Sequence, residues 1–279
     1  MNLPTTLGQA RQYGVQCLKA SSPSATIDAE YLLEKASGQP RLRFRSHPEA
    51  TLSQSAWQAY EALLKRRASG EPVAYCLGQR GFMDFTLTVS PAVLIPRPET
   101  EHLITTALHY PSEQILDLGT GSGCVAIALA RAWPQAQVDA VDQSATALAC
   151  AQQNAEQLGV AHITFKQGDW YAPVSGHRYD LIVANPPYIA DFEPHPDQGD
   201  ARFEPRGALR AGPTGLESIT PIIDGAQSHL HPRGWLWLEH GHAQAQAVRD
   251  QLATAGFTAI ATHHDLAGHE RISGGQRNV

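Results

Sequence analysis

The chain has 279 residues, 42% hydrophobic and 17% charged, enough for a sizeable core and two domains. Its 27 acidic residues outnumber 21 basic ones, a formal charge of -6, and the absence of a basic stripe weighs against a dedicated duplex-DNA binder. Four scattered cysteines without a Cys-x-x-Cys spacing weigh against a metal knuckle or redox pair. With no run of about 18 apolar residues and no cationic, apolar leader in residues 1–10, a cytoplasmic protein that avoids membranes is expected.

Residues 1–80 read as helical. The segment 28–34 is helix-like and stops at Gly38-Gln39-Pro40. Trp57, Tyr60, Leu63 and Leu64 recur at i, i+3, i+6 and i+7, a one-face stripe expected in a core. That stripe ends in Lys65-Arg66-Arg67, where cations complement the helix C-terminal dipole; a contact to a partner surface is the alternative. Next, Phe85, Leu87 and Val89 alternate with Thr86 and Thr88 as a half-buried strand. Val93-Leu94-Ile95 is a second apolar run, and the two are expected to pair as a hairpin before Pro96-Arg97-Pro98-Glu99 opens a helix.

From about residue 113 strands and helices alternate. The strand candidates are 114–117, 137–142, 162–166, 179–184, 235–239 and 257–263, with helices such as 125–132 and 145–157 between them. This alternation predicts a mostly parallel sheet covered on both faces, which binds ligands at the carboxyl ends of its strands.

The first such strand, Ile115-Leu116-Asp117-Leu118, runs into Gly119-Thr120-Gly121-Ser122-Gly123. Glycines there admit positive φ and let a ligand approach the backbone. The spacing is Gly-x-Gly-x-Gly, not the Gly-x-Gly-x-x-Gly of dinucleotide binders, and Asp117 would repel a pyrophosphate. Asp142 ends the second strand, where a carboxylate can accept both ribose hydroxyls. Asp169-Trp170 follow the third, an acid for an adenine amino group beside a ring to cover it. Three acids after three successive strands suit an adenosine with a cationic sulfonium and an amino-acid tail, that is, S-adenosylmethionine.

The fourth strand runs into Asn185-Pro186-Pro187-Tyr188. Two prolines stiffen this loop. The Asn185 side-chain oxygen and the Pro186 carbonyl can accept hydrogen bonds from an NH2 group and aim its nitrogen at a methyl donor; Tyr188 offers a flat face for a planar substrate. Methyl transfer needs no metal, and adjacent or alternate histidines such as His240-x-His242 and His263-His264 read as loop residues.

With these motifs the chain resembles the release factor glutamine methyltransferases. The resemblance also rests on Leu94-Ile95-Pro96-Arg97-Pro98-Glu99-Thr100-Glu101, on residues 204–209, on Glu239-His240-Gly241 and on residues 265–271. It implies a Rossmann-like class I methyltransferase domain, a mostly parallel seven-stranded sheet, over residues 97–279. A small N-terminal helical bundle (1–80) that recognises the substrate precedes it, joined by a β-hairpin linker (81–96). It implies a substrate, the glutamine of the Gly-Gly-Gln loop in class-1 translation release factors, and the product S-adenosylhomocysteine. It implies that Asn185, Pro186 and Tyr188 are catalytic. Asp117, Gly119, Thr120, Gly121, Gly123, Asp142, Asp169, Trp170 and Asn185 would hold the cofactor. Asn185, Pro186, Pro187, Tyr188 and Phe82 would line the substrate pocket, with core packing the alternative for Phe82. Arg97 would orient neighbouring loops or form a structural ion pair. A monomer acting without direct nucleic-acid contact is expected; the alternative is an adenine-N6 nucleic-acid methyltransferase, which uses a similar loop. The chain's own Gly274-Gly275-Gln276 is read as coincidence, since short motifs recur by chance.

Overall fold

The computed structural model describes residues 3–194 and 197–278. They divide into two compact units. Residues up to Gln79 with Gln198–Phe203 form one; Arg80–Asp197 with the residues from Glu204 onward form the other.

The first unit holds α1 (Leu7–Leu18), α2 (Ala25–Ser37), α3 (Arg43–Ser46), α4 (Gln54–Ala68) and α5 (Val73–Leu77). Hydroxyl caps start two of them: Thr6 accepts from the Gln9 N–H and Ser53 from the Ala56 N–H, each satisfying a free helix donor. Gly38, at φ 67, closes α2 in the left-handed conformation that glycine favours. Trp57, Tyr60 and Leu64 of the expected stripe are buried with Leu7, Leu18, Leu32 and Leu33, whereas Leu63 is only partly buried. The Tyr60 hydroxyl donates to the Ala29 carbonyl at 3.1 Å. It passes so close to Gly14 that a Cβ there would sit 1.8 Å from it. The cationic end of α4 does more than complement a dipole. Arg67 is only 3% exposed; its Nε donates to Asp28 at 2.7 Å and its Nη1 to Asp200 at 2.8 Å. It is therefore an internal tie and is not presented to a partner.

In the second unit, apart from its first residue Gln79, β1 (Gln79–Phe82) forms with β2 (Phe85–Thr88) a two-stranded hairpin closed by Met83-Asp84. This corrects the expected pairing of 85–89 with 93–95. Val93–Ile95 is loop, because Pro96 has no N–H to offer a ladder and the Ile95 N–H donates to the Glu204 carboxylate at 3.1 Å. The remaining elements are α6 (Pro98–Ala107), β3 (Gln114–Leu118), α7 (Cys124–Ala132), β4 (Gln137–Asp142), α8 (Ala145–Gln157), β5 (Ile163–Gln167), β6 (Tyr179–Ala184), α9 (Ile219–His229), β7 (Leu230–Glu239), α10 (Ala245–Thr254), β8 (Phe257–His264) and β9 (Glu270–Arg277). The seven-stranded sheet has the order β5-β4-β3-β6-β7-β9-β8, parallel through β7, with β9 antiparallel to both neighbours. Alternate residues feed two cores: Ile115, Leu181, Val183 and Trp237 on one face, Leu116, Ile182, Leu236 and Leu238 on the other.

The seventh strand, β9, contains Gly274-Gly275-Gln276. Glycine is poor in strands, which hid it from pattern reading. Here the packing requires it: a Cβ on Gly274 would meet the Leu236 carbonyl at 2.2 Å and the Trp237 ring at 2.3 Å. Gln276 pairs with Trp235 across the ladder, and its Nε2 donates to the Arg233 carbonyl at 2.9 Å. No helix among the described residues is long and apolar enough to cross a membrane.

Candidate active site

The order of strands reverses where β3 lies between β4 and β6, and a cavity of about 410 Å³ opens at their carboxyl ends. The loop after β3 supplies its floor. Gly119, Gly121 and Gly123 all have positive φ (75, 57 and 82). The Gly119 and Thr120 N–H groups donate to the Val141 carbonyl at 2.9 and 3.0 Å, so the loop is laced to the end of β4. Asp142 completes the lacing, with Oδ2 accepting from Gly121 N–H and Oδ1 from Ser144 N–H, both at 2.9 Å. A carboxylate has about four acceptor sites, so two remain for a ligand.

Asp117 is 1% exposed, and its Oδ2 accepts from the Thr120 hydroxyl at 2.7 Å and the Ala126 N–H at 3.2 Å. Burial pushes its carboxyl up to about 7, and those two hydrogen bonds oppose the shift. Asp169 is exposed at the rim and Trp170, at φ 41, brings its ring over Gly119, whose missing Cβ would lie 3.7 Å away.

Asn185 and Pro187 line the same cavity as the glycine loop. Of the expected site residues, Asp117, Gly119, Thr120, Gly121, Asp142, Asp169, Trp170, Asn185 and Pro187 are thus brought together. Four are not among the lining residues. Gly123 is buried behind the loop, where a Cβ would touch Ala151 and Ile127 at 3.1 Å, so packing accounts for it. Phe82 is 2% exposed in the core, its ring edge-on to Phe85 at 5.8 Å. Pro186 is buried. The Tyr188 hydroxyl donates to Glu239 at 3.3 Å and its carbonyl accepts from Gln244 at 2.9 Å. Burial, reinforced by Glu239, holds that phenol well above its ordinary value, so it is a donor and not a base.

Pattern reading did not put Thr100 and Glu239 in the site. Thr100 lies in the first turn of α6 and lines the cavity. Asn185 Nδ2 donates to Thr100 Oγ1 at 2.9 Å, and Thr100 Oγ1 donates to Glu239 Oε2 at 2.9 Å. Burial pushes the Glu239 carboxyl up to about 7 as well. A buried acid closing the apolar run Trp235–Leu238 was the available signal. The motif blocks before α6 and after the Asn-Pro-Pro-Tyr loop also meet: Arg97 forms an ion pair with buried Glu204. His240 is buried and hydrogen-bonded to Ser273 at 2.8 Å, a structural contact. Among the described residues no three His, Cys, Asp or Glu side chains are grouped to hold a metal.

Two family models match the sequence: a PrmC N-terminal domain over residues 9–78 and a methyltransferase small domain over residues 98–202. A release factor glutamine methyltransferase of Xylella fastidiosa is 47% identical over 254 residues, covering 90% of this chain and 92% of that protein. The one from Escherichia coli K12 is 42% identical over 259 residues, covering 92% and 94%. Among solved structures, a methyltransferase from Pyrococcus furiosus superposes with a TM-score of 0.54 at 15% identity, covering 77% of this chain and 98% of that one.

Proposed function

The chain belongs to the release factor glutamine methyltransferases, and from that membership we propose that it moves the methyl group of S-adenosylmethionine to the side-chain nitrogen, N5, of the glutamine in the Gly-Gly-Gln loop of class-1 translation release factors. S-adenosylhomocysteine is the second product. One observation carries the reading: the glycine loop and Asn185 line one cavity, so a cofactor on the first and an amide on the second would be neighbours.

The residues present fit that cofactor. Asp142 keeps acceptor capacity for ribose hydroxyls, Trp170 offers a flat face to adenine with Asp169 beside it, and buried Asp117 would ionise toward an ammonium group. Thr120, Gly119 and Gly121 provide close backbone approach. When bound, the cofactor supplies an electrophilic methyl group on a sulfonium. A carboxamide nitrogen is a poor nucleophile because its lone pair is shared with the carbonyl. The Asn185 oxygen and the Pro186 carbonyl accept from the glutamine NH2, favour positive charge on that nitrogen, and fix its direction; Pro187 and Tyr188 hold the loop. No base is required before the methyl arrives; the surplus proton would leave the nitrogen for solvent afterwards, in keeping with a Tyr188 that keeps its own.

The helical bundle, residues 1–80, grips the release factor; the hairpin region 81–96 links it to the catalytic domain, 97–279. The enzyme works as a monomer in the cytoplasm. Mass spectrometry of a release factor co-expressed with and without this protein tests the reading. The glutamine peptide should gain one methyl group only when the enzyme is present; an unmodified glutamine with methylated DNA would favour the nucleic-acid alternative.

A further inference from the structure

Asn185 has an amide of nearly symmetric shape. Turned one way it offers an oxygen to the cavity and can accept from an NH2; turned the other it offers its own NH2 and repels one. The two prolines stiffen the backbone but leave this choice open. The choice is made elsewhere. β6 and β7 are parallel and paired Ala184 to Leu238, so the next residues, Asn185 just past β6 and Glu239 at the end of β7, follow side by side. Between them stands Thr100, at 2.9 Å from each. A hydroxyl has one proton. Given to the Glu239 carboxylate, it leaves the Thr100 oxygen as an acceptor, which demands the NH2 of Asn185 and leaves Oδ1 for the site.

The geometry assigns Glu239, acting through Thr100, as the positioning residue that sets which face of the Asn185 amide meets the substrate, while its second oxygen holds Tyr188. This deepens the proposed function and rests on its NH2-bearing substrate. Glu239 is 1% exposed and makes no ion pair among the described residues, its partners being two hydroxyls. Such a buried acid is costly where packing alone is wanted, and an apolar side chain of similar volume would serve better. Its ionised form is the acceptor the relay needs. Burial and Glu99 oppose that form; Thr100, Tyr188 and Arg271 favour it. Once protonated, Glu239 can donate to Thr100, which can then donate to Asn185 Oδ1 and reverse the amide.

The variants Thr100→Val, Thr100→Ser and Glu239→Gln test this in the full-length enzyme. Thr100→Val and Glu239→Gln should lower kcat for release-factor methylation by about tenfold or more. Affinity for S-adenosylhomocysteine and KM should hold in both, melting temperature should hold in Thr100→Val, and Thr100→Ser should recover most of the rate. Wild-type kcat should fall as pH drops below about 7, and this limb should be missing in Glu239→Gln. In the S-adenosylhomocysteine complex, the Asn185 side-chain NH2 should exchange slowly with solvent in wild type and fast in Thr100→Val. Unchanged kcat in Thr100→Val, or unchanged Asn185 exchange in it, overturns the assignment. Should Glu239→Gln fail to fold, Thr100→Val against Thr100→Ser carries the same decision. A wild type that leaves release-factor glutamine unmodified sinks the functional reading instead, and the exchange measurement still decides the orientation.

Discussion

Two buried carboxylates stand at the carboxyl ends of β3 and β7, and they are built in opposite ways. Asp117 and Glu239 are each 1% exposed, and burial pushes both up to about 7. Asp117 takes its hydrogen bonds from Thr120 and Ala126, three and nine residues onward. Glu239 takes its own from Thr100 and Tyr188, 139 and 51 residues away. The first acid belongs to a loop that makes its own environment. The second has no partners until β6, β7 and α6 have assembled. The glycine-loop half is thus built mostly from backbone, and the Asn185 half from side chains of distant segments.

If that division holds, damage to each half should show in a different measurement. The largest effect is expected from Asn185→Ala. It should lower single-turnover rates by about 100- to 1000-fold, the scale seen when one polar stabilising group is removed from an active site. S-adenosylhomocysteine affinity by titration calorimetry should change little, and an equal loss in both would break the comparison. Asp142→Ala should do the reverse, costing about 2 kcal/mol of cofactor affinity through the lost charged acceptor while sparing the rate at saturation.

The acids themselves separate by pH. A carboxyl raised to about 7 is neutral below that pH, where a ligand bearing an ammonium group must first displace a proton. Cofactor affinity should therefore fall below pH 7, by at most about tenfold per unit, and level off above it. Asp117→Asn should flatten this profile, and Glu239→Gln should not. Stability has a related sign. The folded protein holds the Glu239 proton more tightly than the unfolded chain, whose value is the ordinary 4.5. Stability is thus lost as pH rises from there through about 7, and Glu239→Gln should melt above wild type at pH 8. The smallest effect is expected from Phe82→Leu, less than about 1.5 kcal/mol of stability for a near volume-conserving core change. Its KM for the release factor should stay put; a large rise would return Phe82 to the substrate pocket.

How readily each feature could be read follows the same division. The alternation of strands and helices, the glycine loop and the Asn-Pro-Pro-Tyr loop all leave local traces: periodicity, left-handed glycines, fixed proline φ. Other positions leave no such trace. Val93–Ile95 has strand composition, yet Glu204 takes the Ile95 N–H and the chain there stays a loop. β9 carries two glycines that strand propensity disfavours, and Gly274 is required only because the Trp237 ring occupies the space of its Cβ. Arg67 looks like a helix-end cation and is a buried tie to Asp28 and Asp200.

By itself, then, the sequence determined the glycine loop after β3 and the loop that presents Asn185, because short-range backbone geometry suffices for both. Tertiary structure decided that Glu239 and Thr100 stand behind Asn185, that Tyr188 points to Glu239, and that Phe82 faces the core. The physical reason is register. Burying both faces of a parallel sheet aligns strand ends that lie far apart in the chain, and the contacts made there leave no period or spacing in the sequence to announce them.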